Sequence, residues 1–96
     1  GLAMYASTKG ALEAFSKNTA REWGTLGIRS NIVCPGFMDT EMSSSLTDDQ
    51  KFRVFNRNSM KKALSIDSVA KGVFYLATSG EYGVTGQILH VDNGTI

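Results

Sequence analysis

Apolar residues recur every three to four positions along the first quarter of the chain, which is the pattern of an amphipathic helix. Good helix formers dominate Met4–Trp23 and no proline interrupts the range, so we predict one helix there. Gly24 and Gly27 are expected to end it. The residues that recur at helical spacing in this range are Tyr5, Leu12, Phe15, Thr19 and Trp23.

A short apolar segment follows the first helix. Ile28–Cys34 ends in three consecutive apolar residues, Ile32–Cys34. Such a run suits a strand that is covered on both faces, as in a parallel sheet. Pro35 and Gly36 are expected to stop the strand.

Two more helices are predicted in the second half of the chain. Thr47–Gln50 has the form of a capping box, so a short helix should run from there to about Phe55. Ser65 can cap a further helix over Ile66–Thr78. That helix carries an apolar stripe formed by Val69, Val73 and Leu76.

The order of the elements indicates the fold class. A last strand is predicted at Gln87–Val91, followed by a turn at Asp92–Gly94. A strand–helix–strand unit with a long crossover implies parallel strands and is right-handed in nearly all cases, so the chain is α/β. A leading helix with no strand before it, and a two-stranded sheet with an open edge, are unusual for a complete α/β domain. We therefore expect an incomplete one.

Composition and charge exclude several functions. The net charge is +1, so the chain lacks the basic field expected of a protein that binds nucleic acid or an anionic membrane. Cys34 is the single cysteine, which rules out an intrachain disulfide and a cysteine-based zinc cluster. No apolar run approaches the roughly 18 residues that a membrane span needs.

The first candidate for chemistry is the pair Tyr5 and Lys9. Residues four apart on a helix lie on one face, with Cβ atoms about 5–6 Å apart. A nearby ammonium stabilises a phenolate, so the two side chains could serve as a proton-transfer pair. Taken alone, such a pair is more often a packed tyrosine beside a solvated lysine.

Three further segments favour the functional interpretation of this pair. With the segment that contains the pair, they are, in order, Tyr5–Ala11, Asn31–Thr40, Thr85–Gln87 and Val91–Gly94. The four segments resemble the C-terminal part of the short-chain dehydrogenase/reductase family. The first resembles the family's Tyr-x-x-x-Lys motif, the second its strand-ending Pro-Gly followed by a threonine, and the last two its Thr-Gly-Gln and Val-Asp-Gly-Gly ending.

The resemblance implies roles for the first pair. Tyr5 would be the general acid in carbonyl reduction, donating its proton to the developing alkoxide. Lys9 would favour that transfer and hydrogen-bond the nicotinamide ribose, so that both residues would also contact the cofactor, NAD or NADP.

The resemblance also implies cofactor contacts after the first strand. Pro35 and Gly36 would let the backbone approach the nicotinamide. Met38 stands where the family often has Val or Ile and would bind the carboxamide through its backbone. Thr40 would bind the cofactor near the carboxamide and diphosphate. Residues Thr40–Leu64, with their small helices, would form the substrate lid.

The resemblance implies that residues 1–96 are the C-terminal fragment of a single NAD(P)-binding domain, a Rossmann-like doubly wound parallel sheet. The family's glycine-rich phosphate turn and catalytic serine would lie before Gly1. Asn93 replaces a glycine of the final motif, and asparagine tolerates a left-handed turn.

Two functions remain open at this stage. In the first, the chain is part of a cytoplasmic, homo-oligomeric NAD(P)-dependent oxidoreductase, most like the 3-oxoacyl-acyl-carrier-protein reductase type, acting on a small-molecule or carrier-bound carbonyl. In the second, the chain is a non-catalytic remnant or a subunit-association module. Neither involves nucleic acid, membrane or metal.

Several residues have simpler interpretations. Phe15, Trp23, Phe74 and Tyr75 are expected to be packing residues. Cys34 is expected to be a small buried hydrophobe, and His90 to be structural or exposed. A basic set is expected to be a solvated surface, with contact to an acidic carrier or a phosphorylated substrate as the alternative: Arg53, Arg57, Lys61 and Lys62.

Overall fold

The computed structural model describes residues 1–40, 43–78 and 82–95. Within these ranges the chain forms three α-helices, one short 3₁₀ helix and two strands, in the predicted order. The helices are α1 (Leu2–Trp23), α2 (Asp48–Phe55) and α3 (Ile66–Thr78), the 3₁₀ helix is Gly24–Leu26, and the strands are β1 (Ile32–Pro35) and β2 (Ile88–Val91).

The two strands pair in parallel. β1 and β2 form a two-stranded sheet. The Ile32 N–H donates to the Gln87 carbonyl and the Gly36 N–H to the Val91 carbonyl, both at 2.9 Å. Both bonds join residues of the same separation along the chain, which is possible only if the strands run in one direction. The α/β class is therefore confirmed.

β1 begins four residues later than predicted, because side chains replace the regular ladder before it. The Asn31 side chain donates to the Val84 carbonyl at 3.0 Å and accepts from the Gln87 N–H at 3.0 Å. The Ser30 N–H donates to the Thr85 hydroxyl at 3.1 Å. This segment is ordered by side-chain bonds that periodicity does not reveal.

The described chain falls into two compact units. One comprises Gly1–Ile32 with Tyr75–Leu89, and the other Val33–Phe74 with His90–Ile96. Along the parts of the chain that the structure describes, no helix is both long and apolar enough to cross a membrane.

In the first unit, α1 buries its small residues rather than its large ones. Ser16 and Ala20 are buried, and the Ser16 hydroxyl lies 2.9 Å from that of Ser30. A Cβ atom on Gly86 would lie 3.6 Å from that of Ala20, in ordinary van der Waals contact. The prediction that Phe15 is a packing residue is wrong within this chain, since it is 71% exposed, and Leu12 is 57% exposed as well. The predicted packing residues Trp23, Phe74 and Tyr75 are exposed as well.

Arg29 holds the carboxyl end of α3 in the same unit. Its guanidinium donates to the carbonyls of Leu76 at 2.8 Å, Ala77 at 3.2 Å and Val84 at 3.0 Å. The last carbonyls of a helix have no partner inside the helix and carry a partial negative charge. Arg29 therefore satisfies these carbonyls and complements the helix dipole.

In the second unit, both predicted caps are present. The Thr47 hydroxyl accepts from the Gln50 N–H while the Gln50 side chain accepts from the Thr47 N–H, so the capping box is confirmed. The Ser65 hydroxyl accepts from the Ser68 N–H at 3.0 Å, as expected of a cap. These local bonds explain why the starts of α2 and α3 were predictable from sequence.

The turn after β2 is tied to the segment between α2 and α3. Asn93 adopts φ 55°, the left-handed conformation predicted for it. The Ser59 N–H donates to the Gly94 carbonyl at 2.9 Å, and the Met60 N–H to the Asn93 carbonyl at 3.1 Å. Buried Asn58 donates to the Lys62 carbonyl at 2.8 Å. The segment thus lacks regular secondary structure but has defined hydrogen bonds.

Candidate active site

Tyr5 and Lys9 lie together on α1, as their spacing predicts. The Lys9 ammonium is over the Tyr5 ring, 5.3 Å from its centroid. Both side chains are exposed, so the contact is a surface cation–π interaction worth about 0.5–1 kcal/mol. The pair is thus preassembled on one helical face where a ligand can reach it.

The neighbouring hydroxyls of α1 are engaged in the helix itself. Ser7 donates to the Ala3 carbonyl at 2.7 Å, and Thr8 donates to the Tyr5 carbonyl at 2.8 Å. A hydroxyl proton used in this way is not available to a substrate. Tyr5 is therefore the stronger candidate for a proton donor on this part of α1.

The second unit contains a cavity at the carboxyl ends of the strands. Its volume is about 300 Å³. Ligands of open α/β sheets bind at this edge. Pro35 and Gly36, both predicted as site residues, contribute to its wall. The other lining residues are Cys34, Phe37, Val54, Phe55, Arg57, Asn58, His90, Asp92 and Thr95.

The resemblance placed Val54, Phe55, Arg57 and Asn58 in the expected substrate lid, but it assigned no site role to the remaining lining residues. The lining residues come from β1, α2, β2 and the segments that directly follow each of them, which are distant in sequence. Parallel pairing was predicted, and it brings the residues after each strand to one edge. The predicted parallel pairing could therefore have indicated that Phe37 and Asp92 lie close together. No local sequence pattern indicated that Val54 lies near either residue.

Gly36 is constrained from two sides. Its N–H is committed to the Val91 carbonyl. A Cβ atom at this position would meet Asp92, 2.8 Å from its Cβ and 2.9 Å from its Cα. The glycine is therefore required by the neighbouring strand, whatever else approaches it.

Asp92 holds the turn after β2. Its Oδ1 accepts from the N–H groups of Gly94 at 2.9 Å and Thr95 at 3.2 Å. Its Oδ2 lies 4.0 Å from Nδ1 of His90, whose side chain is exposed as predicted. The carboxylate of this cavity-lining residue thus stabilises the turn.

Met38 and Thr40 lie on the loop after β1, and neither is among the described residues that line the cavity. Both are half-buried. The Thr40 N–H donates to the Ser43 hydroxyl at 3.0 Å, and the Thr40 carbonyl accepts from the Ser43 N–H at 2.9 Å. The N–H and carbonyl groups of Thr40 are therefore already hydrogen-bonded, and its hydroxyl is the candidate group for binding a ligand. Residues 41 and 42 of the expected lid lie outside the described residues.

Asp39 lies between Met38 and Thr40 in the sequence, and its carboxyl group is ionised at neutral pH. The Lys51 ammonium lies 3.0 Å from its Oδ1, and the Ser43 hydroxyl donates to the same oxygen at 3.0 Å. The hydrogen bond from Lys51, with that from Ser43 second, holds the pKa of Asp39 below its ordinary value of 3.8. Both donors favour the charged carboxylate.

The basic set is exposed, as predicted. Arg57 alone of its members lines the cavity among the described residues. Lys61 adopts φ 54° and its ammonium donates to the Asn56 carbonyl at 2.6 Å. Over the described ranges, no group of three His, Cys, Asp or Glu side chains is placed to hold a metal ion.

Comparison with known proteins identifies relatives across nearly the whole chain. A family model described as enoyl-(acyl carrier protein) reductase matches residues 1–95. The 3-oxoacyl-[acyl-carrier-protein] reductases of Salmonella typhimurium LT2 and Escherichia coli K12 are each 37% identical over 94 residues, which is 98% of this chain. The corresponding protein of Chlamydia trachomatis serovar D is 36% identical over the same length. The chain spans 38% of the length of these relatives.

Proposed function

This chain belongs to the short-chain dehydrogenase/reductase family, and on that premise we propose that its parent protein is an NAD(P)-dependent oxidoreductase. The parent would reduce a carbonyl group or oxidise the matching alcohol. The observation that carries the proposal is the Tyr5–Lys9 pair, assembled and exposed on α1. Residues 1–96 would be the C-terminal part of one Rossmann-like domain with a doubly wound parallel sheet.

The reaction needs a hydride and a proton. A dihydronicotinamide cofactor, when bound, would supply the hydride that the carbonyl carbon accepts. The Tyr5 hydroxyl donates its proton to the carbonyl oxygen as negative charge develops there. The Lys9 ammonium stabilises the phenolate that remains and hydrogen-bonds the nicotinamide ribose. In alcohol oxidation the same residues act in reverse.

The hydrogen bonds within the chain limit which groups after β1 are available to bind the cofactor. The N–H groups of Gly36 and Thr40 are used by Val91 and Ser43, respectively. The Thr40 hydroxyl and the Met38 backbone are thus the groups proposed to bind NAD or NADP. Pro35 and Gly36 would shape the backbone beside the nicotinamide.

The proposed substrate is a small-molecule or carrier-bound carbonyl compound. The apolar part of the cavity wall, formed by Phe37, Val54 and Phe55, suits an acyl or alkyl group, and Arg57 is among the lining residues. The named relatives act on 3-oxoacyl groups held by acyl carrier protein, as their names state. By analogy, we place the parent enzyme in the cytoplasm.

A homo-oligomeric parent is proposed from the surface of α1. Leu12 and Phe15 expose large apolar side chains, which is typical of residues that another protein surface covers. The same observation favours the second candidate function, in which this 96-residue chain by itself associates with other chains and does not catalyse.

Substitution of the proposed proton donor tests the function. In the full-length parent, Tyr5→Phe should lower kcat about 10²–10⁴-fold, because a general acid is lost. NAD(P)H affinity should change less than about threefold. Tyr75→Phe removes a hydroxyl from an exposed tyrosine of α3 and is the matched control, with unchanged kcat. Wild-type kcat in Tyr5→Phe would overturn the mechanism.

Nucleotide binding separates the two candidate functions. NADH and NADPH are titrated into the 96-residue chain and into the parent, and fluorescence of the reduced nicotinamide is followed. Binding by the parent and none by the chain supports a fragment that cannot catalyse alone. Micromolar binding by the chain counts against the association module.

A further inference from the structure

Two contacts join α2 to the loop that leaves β1. The rings of Phe37 and Phe55 lie 5.6 Å apart between centroids, with an interplanar angle of 50°. The Lys51 ammonium lies 3.0 Å from a carboxylate oxygen of Asp39. Both contacts lie inside the second unit.

The two contacts, Phe37–Phe55 and Asp39–Lys51, together attach one face of α2 to one short stretch of the loop. Lys51 and Phe55 are four apart on α2 and so share one face of the helix. Phe37 and Asp39 are alternate residues of the loop, and Met38 lies between them. One face of α2 therefore holds the loop immediately on either side of Met38 and immediately before Thr40.

We propose that Lys51 and Asp39 are positioning residues, which set the loop carrying Met38 and Thr40 in the geometry that binds the nicotinamide cofactor. The inference rests on the proposed function for the identity of the ligand. Neither residue needs to touch the cofactor, because both act through the backbone that they hold.

Ser43 completes the attachment. It is buried, and its hydroxyl lies 3.0 Å from Asp39 Oδ1, 2.7 Å from the Thr40 carbonyl and 3.0 Å from the Thr40 N–H. The carboxylate held by Lys51 is thus linked through one hydroxyl to the backbone of Thr40. A change at Lys51 is transmitted to Thr40 by adjacent hydrogen bonds.

The position of α2 is itself well defined. The capping box fixes its first turn, and the Lys51 N–H donates to the Thr47 carbonyl at 3.0 Å. The Lys51 side chain is only 20% exposed, which limits its freedom to leave Asp39. The Asp39 side chain is 48% exposed, and ion pairs of partly exposed groups add little to global stability. The expected effect is therefore on cofactor affinity rather than on folding.

The test measures NADH and NADPH affinity in the full-length parent. Lys51→Met and Asp39→Asn should each raise the Kd and KM of the preferred nucleotide about 3–10-fold, while kcat at saturating nucleotide changes less than about twofold. The double variant should be no worse than either single variant, because one contact is lost in all three. Lys51→Arg keeps the charge and should restore affinity to within about twofold.

Lys71→Met is the matched control. Lys71 pairs with Asp67 at 2.9 Å on the exposed surface of α3. Its loss removes a lysine and an ion pair of similar length without touching the loop. Nucleotide affinity should remain at the wild-type value, and equal weakening in this control would overturn the proposal.

Amide hydrogen exchange separates this proposal from the proposed function. Exchange at Met38 and Thr40 should rise about tenfold in Lys51→Met without any nucleotide present, since the loop is released. If exchange rises but the wild-type parent binds neither nucleotide, the attachment stands and the oxidoreductase function falls. If the wild type binds and both variants match it in exchange and affinity, the positioning role is overturned.

Discussion

A Cβ atom on Gly36 would lie 2.8 Å from the Cβ atom of Asp92 and 2.9 Å from its Cα atom. Real Cβ atoms essentially never approach this closely. The Gly36 N–H also donates to the Val91 carbonyl, which holds the two strands at this separation. The glycine that we propose to lie beside the nicotinamide is therefore needed by the sheet as well.

Gly36→Ala should destabilise the chain. The added methyl would push against backbone rather than a movable side chain, so we expect a loss of about 1–3 kcal/mol in the free energy of unfolding. Urea unfolding followed by circular dichroism measures it. Gly10→Ala is the control: nothing lies within 4 Å of its Cβ position in α1, so alanine should stabilise by about 0.5–1 kcal/mol. Equal stabilities for the two variants would show that the strands separate easily.

Arg29→Met should loosen the carboxyl end of α3. It removes charged hydrogen bonds to the carbonyls of Leu76, Ala77 and Val84, for an expected loss of about 1.5–3 kcal/mol. Arg29→Lys should retain only part of this free energy of unfolding, because an ammonium cannot reproduce the forked set of donors of a guanidinium. The control, Arg21→Met, changes an exposed arginine in the last turn of α1 and should cost no more than about 1 kcal/mol. A loss in Arg29→Met no larger than in Arg21→Met would contradict the assignment.

The Asp39–Lys51 contact should depend on pH only in acid. The pKa of Asp39 is depressed in the folded state, so the stabilisation is complete above the ordinary value of 3.8 and is lost as pH falls through the lower folded-state value. Carbon NMR titration of the carboxyl measures that midpoint. Lys51→Met should move it up towards 3.8, because the largest cause of the depression is removed. Lys71→Met should leave the titration midpoint of Asp39 unchanged. An unchanged midpoint in Lys51→Met would show that Lys51 does not lower the pKa of Asp39.

The local signals in the sequence were sufficient for the helices. The predicted bounds of α3 are those observed, and the capping residues Thr47 and Ser65 bond as expected. The Tyr5–Lys9 contact was also predictable, because helical geometry alone places residues four apart on one face. The roles of these two residues and of the four cofactor positions after β1 remain predictions.

Contacts between distant segments were not predictable from the same signals. Phe15 and Trp23 were expected to be the packing residues of α1, whereas the buried residues of this helix are Ser16 and Ala20. They pack because Ser30 and Gly86 approach closely, and only small side chains fit such an approach. The late start of β1 has a similar origin in the hydrogen bonds of Asn31.

By itself, the sequence determined the α/β class, the order of the elements, the caps of α2 and α3 and the proximity of Tyr5 to Lys9. Each of these follows from interactions between residues a few positions apart or from the order of strands and helices. Only the tertiary structure decided that α2 holds the loop after β1, which residues line the cavity, and that Asp92 requires a glycine at position 36. These features depend on contacts across long stretches of chain, and no local pattern encodes the distance at which two segments finally pack.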